Sequence, residues 1–114
     1  MSDCVFCKIV KGEIPSTRVY EDEEILAFRD VNPQAPTHIL VVPKEHMANV
    51  LACAERKDDL IGKLFKAAAA IAREQDVAET GFRLVTNCGE HGAQSVHHLH
   101  IHLLGGRQLT ERMV

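Results

Sequence analysis

The sequence has few aromatic residues: no tryptophan, one tyrosine and four phenylalanines among 114 residues. A core must therefore be mostly aliphatic, which a hydrophobic fraction of 46% allows. Long apolar runs are also missing, since the longest, 67–72, falls far short of the roughly 20 residues that cross a bilayer. The first residues, MSDCVFCKIVKGEI, show no apolar run typical of a signal peptide. We therefore expect a soluble, cytoplasmic protein with no membrane partner.

An excess of positive charge is likewise missing. Thirteen basic and sixteen acidic residues give a formal net charge of −3. This balance argues against nucleic acid or an anionic membrane as a partner, because both select strongly basic surfaces. If the protein binds a phosphate, a local arrangement of donors must hold it. The length fits a single domain over 1–114.

The four cysteines do not suggest a disulfide framework, because thiols stay reduced in the cytosol. Cys4 and Cys7 are spaced C-x-x-C, which in a reducing compartment indicates a metal or redox site. Cys53 and Cys88 have no such partner and are interpreted as packed thiols.

The periodicity of apolar residues predicts an α+β fold with a mainly antiparallel sheet. Leu60, Leu64, Ala68 and Ile71 recur at three- and four-residue spacing, as in an amphipathic helix. The expected elements are a short helix at 3–11, a hairpin with strands near 19–20 and 25–28, a strand at 38–42, a long helix from 58, and strands at 82–87 and 96–104.

The segment HHLHIHLLGG, residues 97–106, is the main functional signal. In a strand, His98, His100 and His102 would share one face, because alternate side chains point the same way. That face could be a solvated polar surface, a zinc site built from the histidines, or a phosphate site with a nucleophilic imidazole. The upstream GAQS supplies a hydroxyl and glycine backbone amides but no carboxylate, which favours the phosphate site.

The run from His98 to Leu104 matches His-φ-His-φ-His-φ-φ, the motif of the histidine triad superfamily. The stretches 28–46 and 92–109 resemble the Hint branch of that superfamily, the purine nucleoside phosphoramidate hydrolases. This resemblance covers nearly the whole chain. It implies a five-stranded sheet with one long and one short helix, and a homodimer with a ten-stranded sheet. It also implies hydrolysis of purine nucleoside 5′-phosphoramidates and aminoacyl-adenylates, with an AMP- or GMP-type nucleotide bound.

The same resemblance implies roles for individual residues. His100 would be the nucleophile that forms a nucleotidyl-histidine, His102 would hold a phosphate oxygen, and His38 would shuttle a proton to the leaving group. Ser95 would lie near the leaving amine. The implied nucleotide-binding positions are Asp30, Val31, Leu40, Asn87, Ala93, Gln94, Ser95, His100 and His102. Purely local roles are the alternatives: a turn cap for Asp30, a buried imidazole for His38, and backbone hydrogen bonds for Asn87 and Ser95.

A structural zinc ion is implied by resemblance to the bacterial relatives that carry C-x-x-C. Its ligands would be Cys4, Cys7, His46 and His98, a set suited to a closed site. The alternative is that the two cysteines are small buried residues of a helix. His98 would then either bind zinc or orient the nucleophile. Catalysis itself is expected to require no cofactor.

Other functions remain open at this point. The chain could be a nucleotide-binding interaction module with incidental catalysis, a dinucleoside polyphosphate hydrolase, or a zinc protein that uses the triad as ligands. His91 and His97 carry no motif role and are expected to be exposed. The amine leaving group and the choice between adenine and guanine stay undetermined.

Overall fold

The computed structural model describes residues 3–114. Its elements are α1 (Val5–Val10), β1 (Arg18–Glu21), β2 (Ile25–Arg29), β3 (Thr37–Pro43), α2 (Val50–Ala54), α3 (Leu60–Glu74), β4 (Phe82–Val85) and β5 (Ile101–Gly105). The five strands form one antiparallel sheet with the order β1-β2-β3-β5-β4, flanked by helices. This confirms the α+β prediction.

Capping residues set the ends of the helices. At the start of α1, Cys4 Sγ accepts a hydrogen bond from the backbone N–H of Cys7 at 3.2 Å. The helix ends before Gly12, whose φ of +81° is the left-handed conformation that glycine adopts most easily. The short helix α2 was not predicted. It is capped by Asn49 Oδ1, which accepts from the N–H groups of Leu51 and Ala52.

The sheet buries both of its faces. Ile39 and Val41 of β3 belong to the core shared with α3, whereas Leu40 and Val42 belong to the core shared with α1. Alternate residues of β3 thus bury opposite faces, which explains its uninterrupted apolar sequence. Leu103 of β5 lies in the α3 core, as the alternation of the histidine segment predicted.

The histidine strand is shorter than predicted, since β5 covers Ile101–Gly105 and not 96–104. Val41↔Ile101 is the last matched pair between β3 and β5 at this end. Pro43 has no N–H to continue the ladder, and Leu99 N–H bonds instead to the carbonyl of Met47 beyond the strand. His98 and His100 consequently lie on an irregular segment just ahead of β5.

Helix α3 covers one side of the sheet with its apolar stripe. Leu64, Ala68 and Ile71 are buried, while Phe65 is half exposed because it lies at the margin of that stripe. Among residues 3–114, no helix is long and apolar enough to cross a membrane.

Candidate active site

A cavity of about 690 Å³ opens on the sheet face that carries the histidines, beside α1. Its lining includes most of the residues that the sequence singled out. Apolar side chains from α1 and β2 form another part of the wall. The lining residues with polar side chains that bear on the chemistry are Ser16, Asp30, Gln34, His38, Asn87, Ser95, His100 and His102, and the apolar ones include Val5, Phe6, Ile9, Ile14, Phe28, Val31, Leu40 and Val96.

His100 is held at three points. Its Nδ1–H donates to the carbonyl oxygen of His98 at 2.8 Å, so the lone pair of the neutral ring lies on Nε2. The Thr86 hydroxyl donates to the carbonyl of His100 at 2.7 Å. The Phe6 ring meets the imidazole edge to face, with centroids 5.1 Å apart. His100 is 4% exposed. It thus combines burial with a fixed tautomer whose lone pair lies on Nε2, and these are features of a nucleophilic imidazole.

His102 is tied to His38, and the contacts determine both tautomers. The N–H of Gln34 donates to His38 Nδ1 at 2.9 Å, so the proton of His38 lies on Nε2. That Nε2–H faces His102 Nδ1 at 2.9 Å and Asp30 Oδ2 at 3.4 Å. His102 Nδ1 therefore accepts, and its Nε2–H remains as a donor for a phosphate oxygen.

Burial keeps these two imidazoles neutral. The pKa of His102 falls to about 4, mainly because burial penalises the charged ring and further because His100 and His38 lie close by. Burial also lowers the pKa of His38, although Asp30 opposes that shift. Both rings are thus uncharged near neutral pH and act as hydrogen-bonding groups.

The structure brings several other predicted residues to the same cavity. Asp30 is half buried and its Oδ1 accepts from the N–H of Asn32 at 2.8 Å. Val31 is 87% exposed at the wall, an unusual position for an apolar side chain. Leu40 is buried in the wall, and Asn87 Nδ2 donates to the carbonyl of Gly92 at 2.7 Å.

Ala93 and Gln94 are not among the residues that line this cavity. The amide of Gln94 braces the backbone: Nε2 donates to the carbonyls of Ala48 and Val96, and Oε1 accepts from the N–H of Gly89. Ala93 is exposed with φ of +61°. In this structure, these two residues shape the loop that carries Ser95.

Next to His100 lies a second cluster, made of Cys4, Cys7, His46 and His98, with one ligand atom of each within 4.8 Å of all the others. His98 Nδ1 is 3.3 Å from Cys4 Sγ, 3.5 Å from Cys7 Sγ and 3.3 Å from His46 Nδ1. Ligands of a tetrahedral zinc ion are separated by about 3.3–3.8 Å, as bond lengths of roughly 2.0–2.3 Å require. The donor set and its spacing therefore fit zinc.

His98 is prepared to act as a metal ligand. It is fully buried, and its Nε2 lies 2.9 Å from the carbonyl of Pro43, so Nε2–H donates there and the Nδ1 lone pair faces the cluster. An imidazole ligand usually has such an outer partner. Meanwhile its backbone carbonyl accepts from His100 Nδ1. Zinc binding and orientation of the nucleophile, which were alternative predictions for His98, involve different atoms: the imidazole Nδ1 and the backbone carbonyl oxygen.

A smaller group of ligand atoms, from Asp30, His38 and His102, also lies close enough for a metal. Its atoms, however, already form the hydrogen-bonded chain described above, with His38 Nδ1 engaged by Gln34. The Cys/His cluster is the better metal site, because it offers the softer thiolate and imidazole ligands that zinc prefers.

Three groups that contribute to the site were not predicted from the sequence: Phe6, Thr86 and the carbonyl of Pro43. Phe6 lies between Cys4 and Cys7, a position that could have directed attention to it. A backbone carbonyl leaves no signature in the sequence, and Thr86 looks like an ordinary strand residue.

Comparisons with known proteins show the family of this chain. Residues 11–109 match the family model described as the HIT domain, so the chain belongs to the HIT domain family. It is 51% identical over 111 residues to a 14 kDa zinc-binding protein from Zea mays, covering 96% of this chain and 86% of the relative. It is 45% identical over 107 residues to the purine nucleoside phosphoramidase of Escherichia coli K12, covering 94% and 90%.

The solved structures show the same relationship. A HIT family hydrolase from Clostridium thermocellum superposes with a TM-score of 0.95 at 47% identity, covering 100% of this chain and 99% of that one. The resemblance to the histidine triad superfamily is therefore confirmed, and the chain's relatives include named hydrolases.

Proposed function

We propose that the protein hydrolyses the P–N bond of purine nucleoside 5′-phosphoramidates, with His100 as nucleophile. The observation that carries this proposal is the setting of His100: a buried imidazole in the wall of the cavity, whose Nδ1–H is fixed on the His98 carbonyl so that Nε2 is the nitrogen that carries the lone pair of the neutral ring. The relative named purine nucleoside phosphoramidase supports the choice of substrate.

In the first step, His100 Nε2 attacks the α-phosphorus in line. The new N–P bond forms as the P–N bond of the substrate breaks, and the departing nitrogen takes up a proton and leaves as an amine. In the second step, water attacks phosphorus, releases the nucleoside monophosphate and restores neutral His100. Aminoacyl-adenylates would react in the same way, with a carboxylate as the leaving group.

His102 would donate its Nε2–H to a phosphate oxygen, where negative charge builds up in the transition state. The contacts suggest a revised role for His38. Because both of its ring nitrogens are engaged, it would fix the tautomer of His102 and not transfer protons itself. Ser95 is exposed in the cavity wall and would relay a proton from water to the leaving amine.

The nucleoside would occupy the remaining wall. Asp30 Oδ2 would accept hydrogen bonds from the ribose hydroxyls. The apolar side chains of Val31, Leu40 and Phe28 would contact the base, and Asn87 would lie on the phosphate or ribose side. Exposure of Val31 is consistent with a residue that becomes covered when a base binds.

We also propose that the Cys/His cluster binds structural zinc, as its spacing and the relative named a zinc-binding protein support. When bound, zinc would supply a rigid cross-link between α1 and the loop that precedes β5. No catalytic step passes through it.

A homodimer is proposed as well. The edge strand β4 and the exposed ring of Phe65 on α3 are both available for a second copy.

The test of the proposed function is hydrolysis of an adenosine 5′-phosphoramidate by wild type and by His100→Ala. We expect the substitution to abolish turnover while AMP still binds, with His91→Ala as a matched control that retains activity. His91 is exposed and lies outside the residues that line the cavity. Unchanged turnover in His100→Ala would refute the mechanism.

A further inference from the structure

Helix α1 connects the metal cluster to the nucleophile. Cys4 and Cys7 are its cap and third residue, and both place Sγ against the imidazoles of the cluster. The side chain of Phe6, immediately before Cys7, contacts the imidazoles of His98 and His100. Its ring lies 5.1 Å from that of His100 at 86°, and 5.9 Å from that of His98 at 74°.

His98 also contacts both the metal cluster and the nucleophile. Its side chain faces the thiols of Cys4 and Cys7, while its carbonyl oxygen accepts the Nδ1–H of His100. Three groups contact the imidazole of His100: the Phe6 ring, the His98 carbonyl and the His102 ring, whose centroid lies 5.0 Å away. The first two belong to segments that also carry ligands of the cluster.

We propose that occupancy of the metal cluster positions His100, with Phe6 as the positioning residue that transmits the constraint. This inference rests on the proposed function, since it concerns the regulation of the same nucleophile. With the cross-link in place, α1 cannot move away from the segment that precedes β5, and the ring of His100 keeps one orientation. Without it, α1 is held against that segment by side-chain packing and by the weaker thiol–imidazole hydrogen bonds of Cys4 and Cys7 with His98.

The cluster is also accessible enough for its occupancy to change. His46 is exposed, unlike His98. A cavity of about 430 Å³ adjoins the cluster and is lined by Cys4 and His46 together with Ser95 and Val96. Ser95 and Val96 also line the larger cavity, so one short wall separates solvent at the cluster from the nucleotide site. A chelator can therefore reach the ligands without unfolding of the sheet.

Packing of the two cores indicates that the fold survives metal loss. Phe6 and Ile9 belong to the α1 core, whereas the larger core between the sheet and α3 contains none of the cluster residues. The predicted effect of metal loss is therefore confined to α1, His98 and His100, and the remaining sheet stays folded.

The experiment compares zinc-loaded wild type and chelator-treated wild type with the variants Cys4→Ser and Phe6→Leu. Two further variants serve as controls. Cys53→Ser removes a buried thiol outside the cluster, and Ile71→Val lowers stability from the opposite core. The readouts are zinc content, far-UV circular dichroism, imidazole ¹⁵N spectra of the nucleotide-free protein, and kcat and KM for the phosphoramidate.

We expect chelated wild type and Cys4→Ser to lose zinc, keep their circular dichroism and change the ¹⁵N signals of His100 from a single Nδ1–H tautomer to an average. Their kcat should fall about tenfold or more, because a displacement of a reacting group by about 1 Å can cost up to about 100-fold in rate. Phe6→Leu should keep zinc yet show the same His100 change and a kcat loss that exceeds any change in KM. Both controls should match wild type in spectra and kcat.

The inference is overturned if Cys4→Ser or chelated protein lacks zinc but retains the wild-type His100 signals, or if Cys4→Ser keeps zinc. It is also overturned if Phe6→Leu leaves those signals and kcat unchanged. Failure of the proposed function looks different: wild type then hydrolyses no phosphoramidate, while the ¹⁵N spectra still report whether zinc positions His100.

Discussion

Acidification should destabilise the protein through His102, because its ring is neutral in the fold and charged in the unfolded chain. Its pKa is lowered from 6.5 to about 4 in the structure. A base with a depressed pKa binds fewer protons when folded. Its contribution to stability is therefore intact above pH 6.5 and is lost progressively as the pH falls toward about 4.

The magnitude follows from proton linkage between these two pKa values. Between pH 7.5 and pH 5, the unfolded state gains about 2 kcal/mol from protonation of His102 that the folded state cannot gain. The ring is only half buried, so solvent screening reduces this figure to about 1 kcal/mol. Such a loss is measurable against the 5–15 kcal/mol typical of domains.

The assay is urea unfolding of wild type and His102→Gln at the two pH values. The glutamine oxygen can still accept the Nε2–H of His38, so contributions from groups other than His102 largely cancel in the comparison. We expect the free energy of unfolding of wild type to fall by about 1 kcal/mol more than that of His102→Gln. Equal losses in the two proteins would show that His102 is not held neutral by its surroundings.

Two further predictions concern the nucleotide and the second copy. Asp30→Asn should weaken binding of AMP about tenfold but leave binding of 2′,3′-dideoxy-AMP unchanged, since only the former offers ribose hydroxyls; calorimetry with both nucleotides checks this, and equal losses would remove Asp30 from the ribose site. Phe65→Glu should convert a dimer to a monomer in light scattering, because the substitution buries a charged carboxylate in the apolar contact proposed between two copies. A monomeric wild type would disprove the dimer.

Most of the fold could be predicted because local patterns of apolar residues indicate its strands and its long helix. The alternation around Leu99 and Ile101 and the helical spacing of Leu60, Leu64 and Ile71 are visible without a structure. Helix α2 could not be predicted, since five residues capped by Asn49 are too few to show a period. The early end of the β3–β5 ladder depends on Pro43 meeting the histidine segment, a pairing that no local pattern reveals.

The site divides in the same way. His100 and its neighbours form a compact motif, so their shared face could be inferred from the sequence. The spacing of Cys4 and Cys7 indicates a metal or redox site, but the histidines lie 94 positions from Cys4 and 39 positions from Cys7, so only a family resemblance identified them as ligands. Phe6, Thr86 and the carbonyls that fix tautomers emerge only from the packed structure, because their roles depend on three-dimensional contacts.

The proposed mechanism requires a covalent bond between His100 and the nucleotide, and mass spectrometry can detect that bond. Protein quenched during turnover of an adenosine phosphoramidate is digested, and the peptide that carries His100 is analysed for added mass. We expect an adenylate on His100 in wild type and none in His100→Ala. Turnover with no adduct on that peptide, or an adduct on His98 or His102 instead, would contradict it.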